Sequence, residues 1–248
     1  MKYLMNTNFK FLQNLFLSLL MGVSICVIQA CSDSDNENDI EEVGDYSYIE
    51  LENGDFLVNG HLAVDLGLSV KWASCNVGAK YSDEPGNFFA WGETATKTCF
   101  NWDNYKWLNQ DKPEFLKYLS EGSQLSSADD AATVRWGKGW RMPTEEEVNE
   151  LISLCTSTPK IDKVYVDGGY YDRVVGYEIT GPSGKSIFIP YSGYYSGYYS
   201  SFVKSDQYTP YFWTSTGGGQ SAFAFVGSWV GADTLLRDCG LPIRPVVE

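Results

Sequence analysis

The stretch VVGYEITGPSGKSIFIP, residues 174–190, constrains the fold more than any other. Two runs rich in Val, Ile, Tyr and Phe flank Gly181-Pro182-Ser183-Gly184. Proline presets φ for a turn, and the flanking residue types fit a pleated, half-buried surface. The segment therefore predicts an antiparallel hairpin. Similar short runs recur at HLAVDLG (61–67), VKWAS (70–74), FFAW (88–91), YFWTST (211–216), AFAFVG (222–227) and PIRPV (242–246). Each is rich in β-formers and bounded by turn residues, so each predicts a strand.

Helical signals are fewer. In MPTEEEVNELISLC (142–155), Thr144 is a natural N-cap and Glu147 three residues later completes a capping box. Val148, Leu151, Ile152 and Cys155 then share one helical face. Glu145, Glu146 and Glu147 fall in the first turn, where the helix dipole favours negative charge. These acids read as structural rather than catalytic. SSADDAATVRWG (126–137) predicts a second helix capped by Ser126 or Ser127, and KPEFLKYL (112–119) a short third. The expected class is α+β, with a few short helices, antiparallel strands and long loops.

The N-terminal residues read as targeting signals. Lys2 and Lys10 accompany an apolar run from Phe11 to Ile28, followed by Gln29-Ala30-Cys31. A basic start, an apolar run and a small residue before the cut describe a secretory signal. A cysteine at the cut reads as a bacterial lipoprotein signal, with Cys31 lipidated; the alternative is an ordinary signal peptide with a chance cysteine. Gln13, Asn14 and Ser18 interrupt the run, which argues against a transmembrane helix. From Asp33 to Asp45 the chain carries acids and no base, so it stays extended and solvated. The expected order is a signal at 1–30, an acidic tether at 31–53 and one domain at 54–248. The formal net charge of −14 argues against nucleic acid, which needs basic patches.

Cys75, Cys99, Cys155 and Cys239 allow three disulfide connectivities. His61 is the only histidine, so zinc is not expected, and no cofactor is implied.

Several segments occur together in a familiar order: GHLAVDLGLSVKWASCNVGA (60–79), FFAWGET (88–94), WDNYKW (102–107), AATVRWGKGWRMPTEEE (131–147), YFWTST (211–216) and GLPIRPV (240–246). They resemble the Fibrobacter succinogenes major paralogous domain family, common in surface lipoproteins of the Bacteroides group. The acidic stretch after Cys31 also resembles the export signal of such lipoproteins, which implies a protein facing outward from the outer membrane. The resemblance spans essentially the whole mature domain, with WGKGWRMPT its most specific segment. It implies a C-type-lectin-like fold, in the version shared with formylglycine-generating enzyme and with diversity-generating variable proteins. Such a fold would pair its terminal strands, pack two helices on a sheet and carry its ligand on a loop-rich region. The resemblance also favours Cys75 with Cys155 as a disulfide, since both lie in family-typical segments. Arg141 and Arg244 lie in the most family-like segments and read as structural, paired with Asp or Glu. Trp72, Trp91, Trp107, Trp136 and Trp140 lie in family motifs and are expected in the core.

A fold does not give a function, so the chemistry must come from particular residues. EPGN (84–87) and WDN (102–104) are imperfect matches to lectin calcium motifs and lie too early in the domain. Oxidase chemistry of the formylglycine type needs closely spaced cysteines near the C-terminal segment, where Cys239 stands alone. His61 falls in an expected strand, and nothing marks a pair of glycosidase carboxylates. No catalytic residue is assigned. The expectation is a non-catalytic binding module, tethered to the membrane only through its lipid, that takes an extracellular glycan or protein. A structural or adhesive subunit of a surface assembly is the alternative; an unrecognised enzyme ranks third.

The ligand surface is expected in residues 189–231, where Tyr, Trp, Ser and Gly suit adaptable recognition. IPYSGYYSGYYSSF (189–202) repeats Ser-Gly-Tyr-Tyr at 192–195 and 196–199. In an extended chain, tyrosines on one face would lie about 13 Å apart, too far to stack on each other. One Tyr of each pair is expected to pack and the other to face solvent. The candidate ligand contacts are Tyr194, Tyr195, Tyr198, Tyr199, Tyr208, Tyr211, Trp213 and Trp229.

Overall fold

The computed structural model describes residues 46–197, 203–205, 208–227 and 232–248. The strands are β1 (Tyr48–Glu50), β2 (Phe56–Val58), β3 (His61–Val64), β4 (Lys71–Ala73) and β5 (Ser123–Gln124). Then come β6 (Thr156–Val166), β7 (Gly169–Thr180), β8 (Ser186–Pro190), β9 (Tyr194–Ser196) and β10 (Val203–Ser205). The last are β11 (Tyr211–Gly218), β12 (Ser221–Val226), β13 (Ala232–Leu236) and β14 (Val246–Val247). Two α-helices occur among the described residues, α1 (Ala131–Trp136) and α2 (Glu145–Leu154). The described residues are thus mostly antiparallel β-sheet with two helices.

The first sheet runs β1-β2-β3-β4-β14, so strands from both ends of the domain share it. Asn59 and Gly60, with φ of 47° and 80°, form the two-residue turn joining β2 to β3. Two positive φ values in an Asn-Gly pair match the twist of a tight hairpin. A second sheet runs β13-β12-β11-β5, a third β6-β7-β8, and β9 pairs with β10 alone. The turn 181–184 joins β7 to β8 as the hairpin code requires, with Ile179↔Ile187 and Glu178↔Phe188 in register.

The core lies between the sheets and the helices. Trp91, Trp140 and Trp213 are fully buried, and their indole N–H groups donate to the carbonyls of Thr214, Val58 and Phe89 at 2.9, 3.0 and 2.9 Å. Each of these three rings is therefore buried without stranding its donor, whereas the buried Trp72 indole N–H has no partner among the described residues. Trp72 and Trp136 are buried, and Trp107 is half-buried with its N–H on the Gly92 carbonyl at 2.8 Å.

Several expectations require correction. Residues 88–91 form no strand; Phe89 makes a single bridge to Leu241. Residues 112–119 form no helix, because Phe115 is drawn into contact with the Trp102 ring and bridges back to Leu108. The 126–137 segment starts as a 3₁₀ turn, Ser127–Asp129, and α1 is capped by Asp130 rather than by Ser126 or Ser127. The expected tether, 31–53, contributes β1 to the first sheet. The Tyr48 ring lies 5.1 Å from Phe56, and Tyr46 packs so closely on Gly139 that a Cβ there would sit 2.6 Å from its ring. Cys75 and Cys155 are free thiols, not a disulfide. They pack against different core clusters, Cys75 against the one that holds Trp91 and Trp213 and Cys155 against the one that holds Leu151 and Ile179. Cys31 lies outside the described residues.

Candidate binding surface

The residues expected to be structural form local devices. The Thr144 hydroxyl accepts from the Glu147 amide at 3.2 Å, and a Glu147 carboxylate oxygen accepts from the Thr144 amide at 2.8 Å. The same carboxylate takes both ends of the Arg141 guanidinium, at 2.8 and 2.6 Å. One Glu thus closes the helix cap and pairs the cation. Arg244 is fully buried and has no carboxylate partner among the described residues. It donates to Asn76 Oδ1 at 2.7 Å and to the carbonyls of Ala73 and Phe188 at 3.0 and 2.8 Å. Its burial depresses its pKa to about 10.

A second buried arginine, Arg237, was not among the expected residues. It donates to the Tyr105 hydroxyl and to the carbonyls of Lys117, Tyr118 and Gly219. The Trp91 and Phe115 rings lie 4.8 and 4.9 Å from its guanidinium. With four of its five N–H donors paired and its faces enclosed by rings, it holds the 115–121 loop to the core rather than meeting a ligand. No sequence signal marks it, since its partners are mainly backbone carbonyls from distant segments.

The residues considered for catalysis or metal binding are also occupied. The His61 ring stacks on Trp136 at 3.8 Å, and burial lowers its pKa. Residues 102–104 form a 3₁₀ turn capped by Asn101, and the Glu84 carboxylate accepts from the Lys80 and Tyr81 amides. Among the described residues, no group of three or more His, Cys, Asp or Glu is placed to hold a metal. An open cavity of about 930 Å³ is lined by Tyr46, Leu125, Asp130, Trp140, Arg141 and Val247, among others. Its buried carboxylate, Asp130, already accepts from the Met142 and Thr133 amides at 2.8 and 3.0 Å.

The tyrosine repeat packs on the domain over its described part. The Tyr194 ring lies 5.2 Å from Tyr211, and Tyr195 sits between Phe88 and Phe100 at 4.8 and 5.7 Å. Gly197 passes so close to the chain that a Cβ would meet the Phe100 carbonyl oxygen at 2.5 Å. Tyr211 and Trp213 are buried, at 6 % and 0 % exposure, and cannot contact a ligand from solvent. Both lie on β11, an inner strand between β12 and β5, and every residue of β11 is buried. Tyr198, Tyr199 and Trp229 lie outside the described residues.

The exposed aromatic surface lies elsewhere. β6 and β7 pair from Thr156↔Thr180 to Val166↔Gly169, but β8 covers only Gly176–Thr180. Beyond it a two-stranded arm continues alone to a turn at Asp167-Gly168, with φ of 47° and 87°. Side chains alternate between its faces. One face carries Tyr171, 61 % exposed, and Arg173 two residues on. The Arg173 guanidinium lies 4.8 Å from the ring of Tyr208, itself 50 % exposed. Arg173 and Tyr208 thus join the arm to the tyrosine-rich segment, and Tyr171 lies on the same face of the arm with its ring leaning toward Gly169. Of the expected contacts, Tyr208 belongs to this exposed surface. Tyr171 and Arg173 were missed, although Asp167-Gly168 is a strong hairpin signal.

No helix among the described residues is long and apolar enough to cross a membrane. No protein-family model, curated protein or solved structure was found to match this chain.

Proposed function

We propose that this chain is a non-catalytic binding module with a C-type-lectin-like fold, held on the outer membrane by a lipid on Cys31. It presents an aromatic surface to an extracellular glycan or protein. The observation that carries this reading is the pairing of Arg173 with Tyr208, with Tyr171 exposed on the same face of the arm as Arg173. Exposed tyrosines offer large contact area at low entropic cost, and an arginine stacked on one of them adds donors at the ring edge. The pairing of β4 with β14 and the two helices support the fold reading.

Arrays of glycans and of extracellular matrix proteins, probed with the full-length protein in detergent, test this. A ligand should be retained, and Tyr171→Ser with Tyr208→Ser should weaken it at least about tenfold, as expected for two aromatic contacts at the centre of an interface. Undiminished binding by the double variant would remove this surface from the site.

A further inference from the structure

The opposite face of the arm has a different composition. Along six rungs, from Ile161↔Val174 to Val166↔Gly169, β6 and β7 have no third strand among the described residues. Such a ribbon is at best marginally stable in water without a surface to pack against. On this face β6 presents Ile161, Lys163 and Tyr165, and β7 presents their ladder partners Val174, Asp172 and Tyr170. Ile161, Tyr165 and Tyr170 are 59 %, 63 % and 71 % exposed, and the two rings meet edge to face at 5.2 Å. Lys163 and Asp172 are exposed as well.

We propose that this face pairs with the same face of a second copy of the chain. A two-fold axis along the strand direction places two ribbons face to face and lays β6 of one over β7 of the other. Each residue then meets its own ladder partner from the second copy: Ile161 meets Val174, Lys163 meets Asp172, and Tyr165 meets Tyr170. The register is self-complementary in kind, aliphatic on aliphatic, cation on anion, ring on ring. A symmetric interface requires that property, because the same patch must serve both sides. The arm from Lys160 to Arg173 also carries three bases and three acids within a chain of net charge −14. The like-charge repulsion that opposes self-association is therefore absent at this face.

The two rings and Ile161, with the stems of Lys163 and Asp172, offer roughly 400 Å² per copy. That is about half the ~800 Å² per partner of a standard stable interface, so the dimer is weak and concentration-dependent. The pairing goes beyond the binding reading, since the ligand face carries Tyr171, Arg173 and Tyr208 on the other side. Failure of the dimer leaves ligand binding by Tyr171 and Tyr208 untouched.

Sedimentation of the full-length protein in density-matched detergent, up to about 1 mM, measures the pairing. The unaltered protein should pass from monomer to dimer across that range. Lys163→Glu and Asp172→Lys should each be monomeric, because like charges then face each other twice. An equimolar mixture of the two should dimerise again, since the introduced glutamate of one copy then meets the introduced lysine of the other, and the native Asp172 meets the native Lys163. Charge repulsion within each altered arm persists in the mixture, so recovery there reports contacts between copies. The double variant Lys163→Glu with Asp172→Lys keeps the pairing within its own arm; it should dimerise with itself and not with the unaltered protein. A monomeric unaltered protein at the highest concentration, an undiminished dimer in either single variant, or a mixture that stays monomeric would each overturn the proposal.

Discussion

Replacing Asp238 by Asn should stabilise this protein at neutral pH and cost it about 1 kcal/mol in acid, where the carboxyl is already neutral. Asp238 is 5 % exposed, and its Oδ1 is buried without a hydrogen-bond partner among the described residues. Burial raises its pKa from 3.8 to about 6, against partial offsets from a hydrogen bond with its own backbone amide and from the positive charge of Lys97. The folded protein therefore keeps a proton on Asp238 between about pH 4 and 6 that the unfolded chain has released. In that window the native state binds more protons, so stability falls as pH rises, and it levels off above about pH 6. At about 1.4 kcal/mol per pH unit, the full penalty by pH 7 is about 3 kcal/mol. An asparagine carries no charge but leaves its own amide imperfectly paired, at a cost of about 1 kcal/mol. The net gain at pH 7.5 should be about 1–2 kcal/mol. Urea unfolding of both proteins from pH 4 to 8 measures it. The other acids titrate in both chains, so the difference between the two curves isolates Asp238. A difference that does not change with pH would show that this carboxyl is not held protonated by burial.

Thr144→Ala should cost about 1 kcal/mol in urea unfolding, because it takes the hydroxyl acceptor from the Glu147 amide and so opens one half of the cap of α2. Trp213→Ala should cost about 3–5 kcal/mol, through a large cavity in the core and the loss of the indole hydrogen bond to the Phe89 carbonyl. Tyr171→Ser should change stability by no more than about 0.5 kcal/mol, since the ring is mainly in solvent. Comparable losses for Trp213 and Tyr171 would contradict the burial on which the site rests. Cys31→Ala should release the protein from membranes and abolish incorporation of labelled lipid; unchanged labelling would refute the lipoprotein reading.

Local chemistry was legible where neighbours in sequence decide the outcome. The capping box of Thr144 and Glu147 needs only one turn of helix, and the 174–190 hairpin needs only a turn between two β-rich runs. The arm was not legible from apolar patterning, because TSTPKIDKVYV (156–166) mixes charges with its apolar residues and shows no buried face. It has none, since both sides of its outer part meet solvent. Its signal lay instead in Asp167-Gly168, whose positive φ values suit a tight hairpin. The 112–119 segment shows the opposite failure. Its composition suits a helix, but the contact of Phe115 with Trp102 and Arg237 outweighs a weak local preference.

The sequence alone determined that the domain is mainly antiparallel strands with a capped helix after Thr144, because turn residues, caps and side-chain periodicity act over a few neighbouring positions. Tertiary structure decided which tyrosines are available. Tyr194, Tyr195 and Tyr211 lie within the same aromatic-rich segment as Tyr208, yet of these four only Tyr208 has half its surface in solvent. Exposure depends on what covers a strand from either side. β11 is an inner strand, whereas the arm of β6 and β7 outruns its third strand, and nothing within a few residues of either segment encodes that difference.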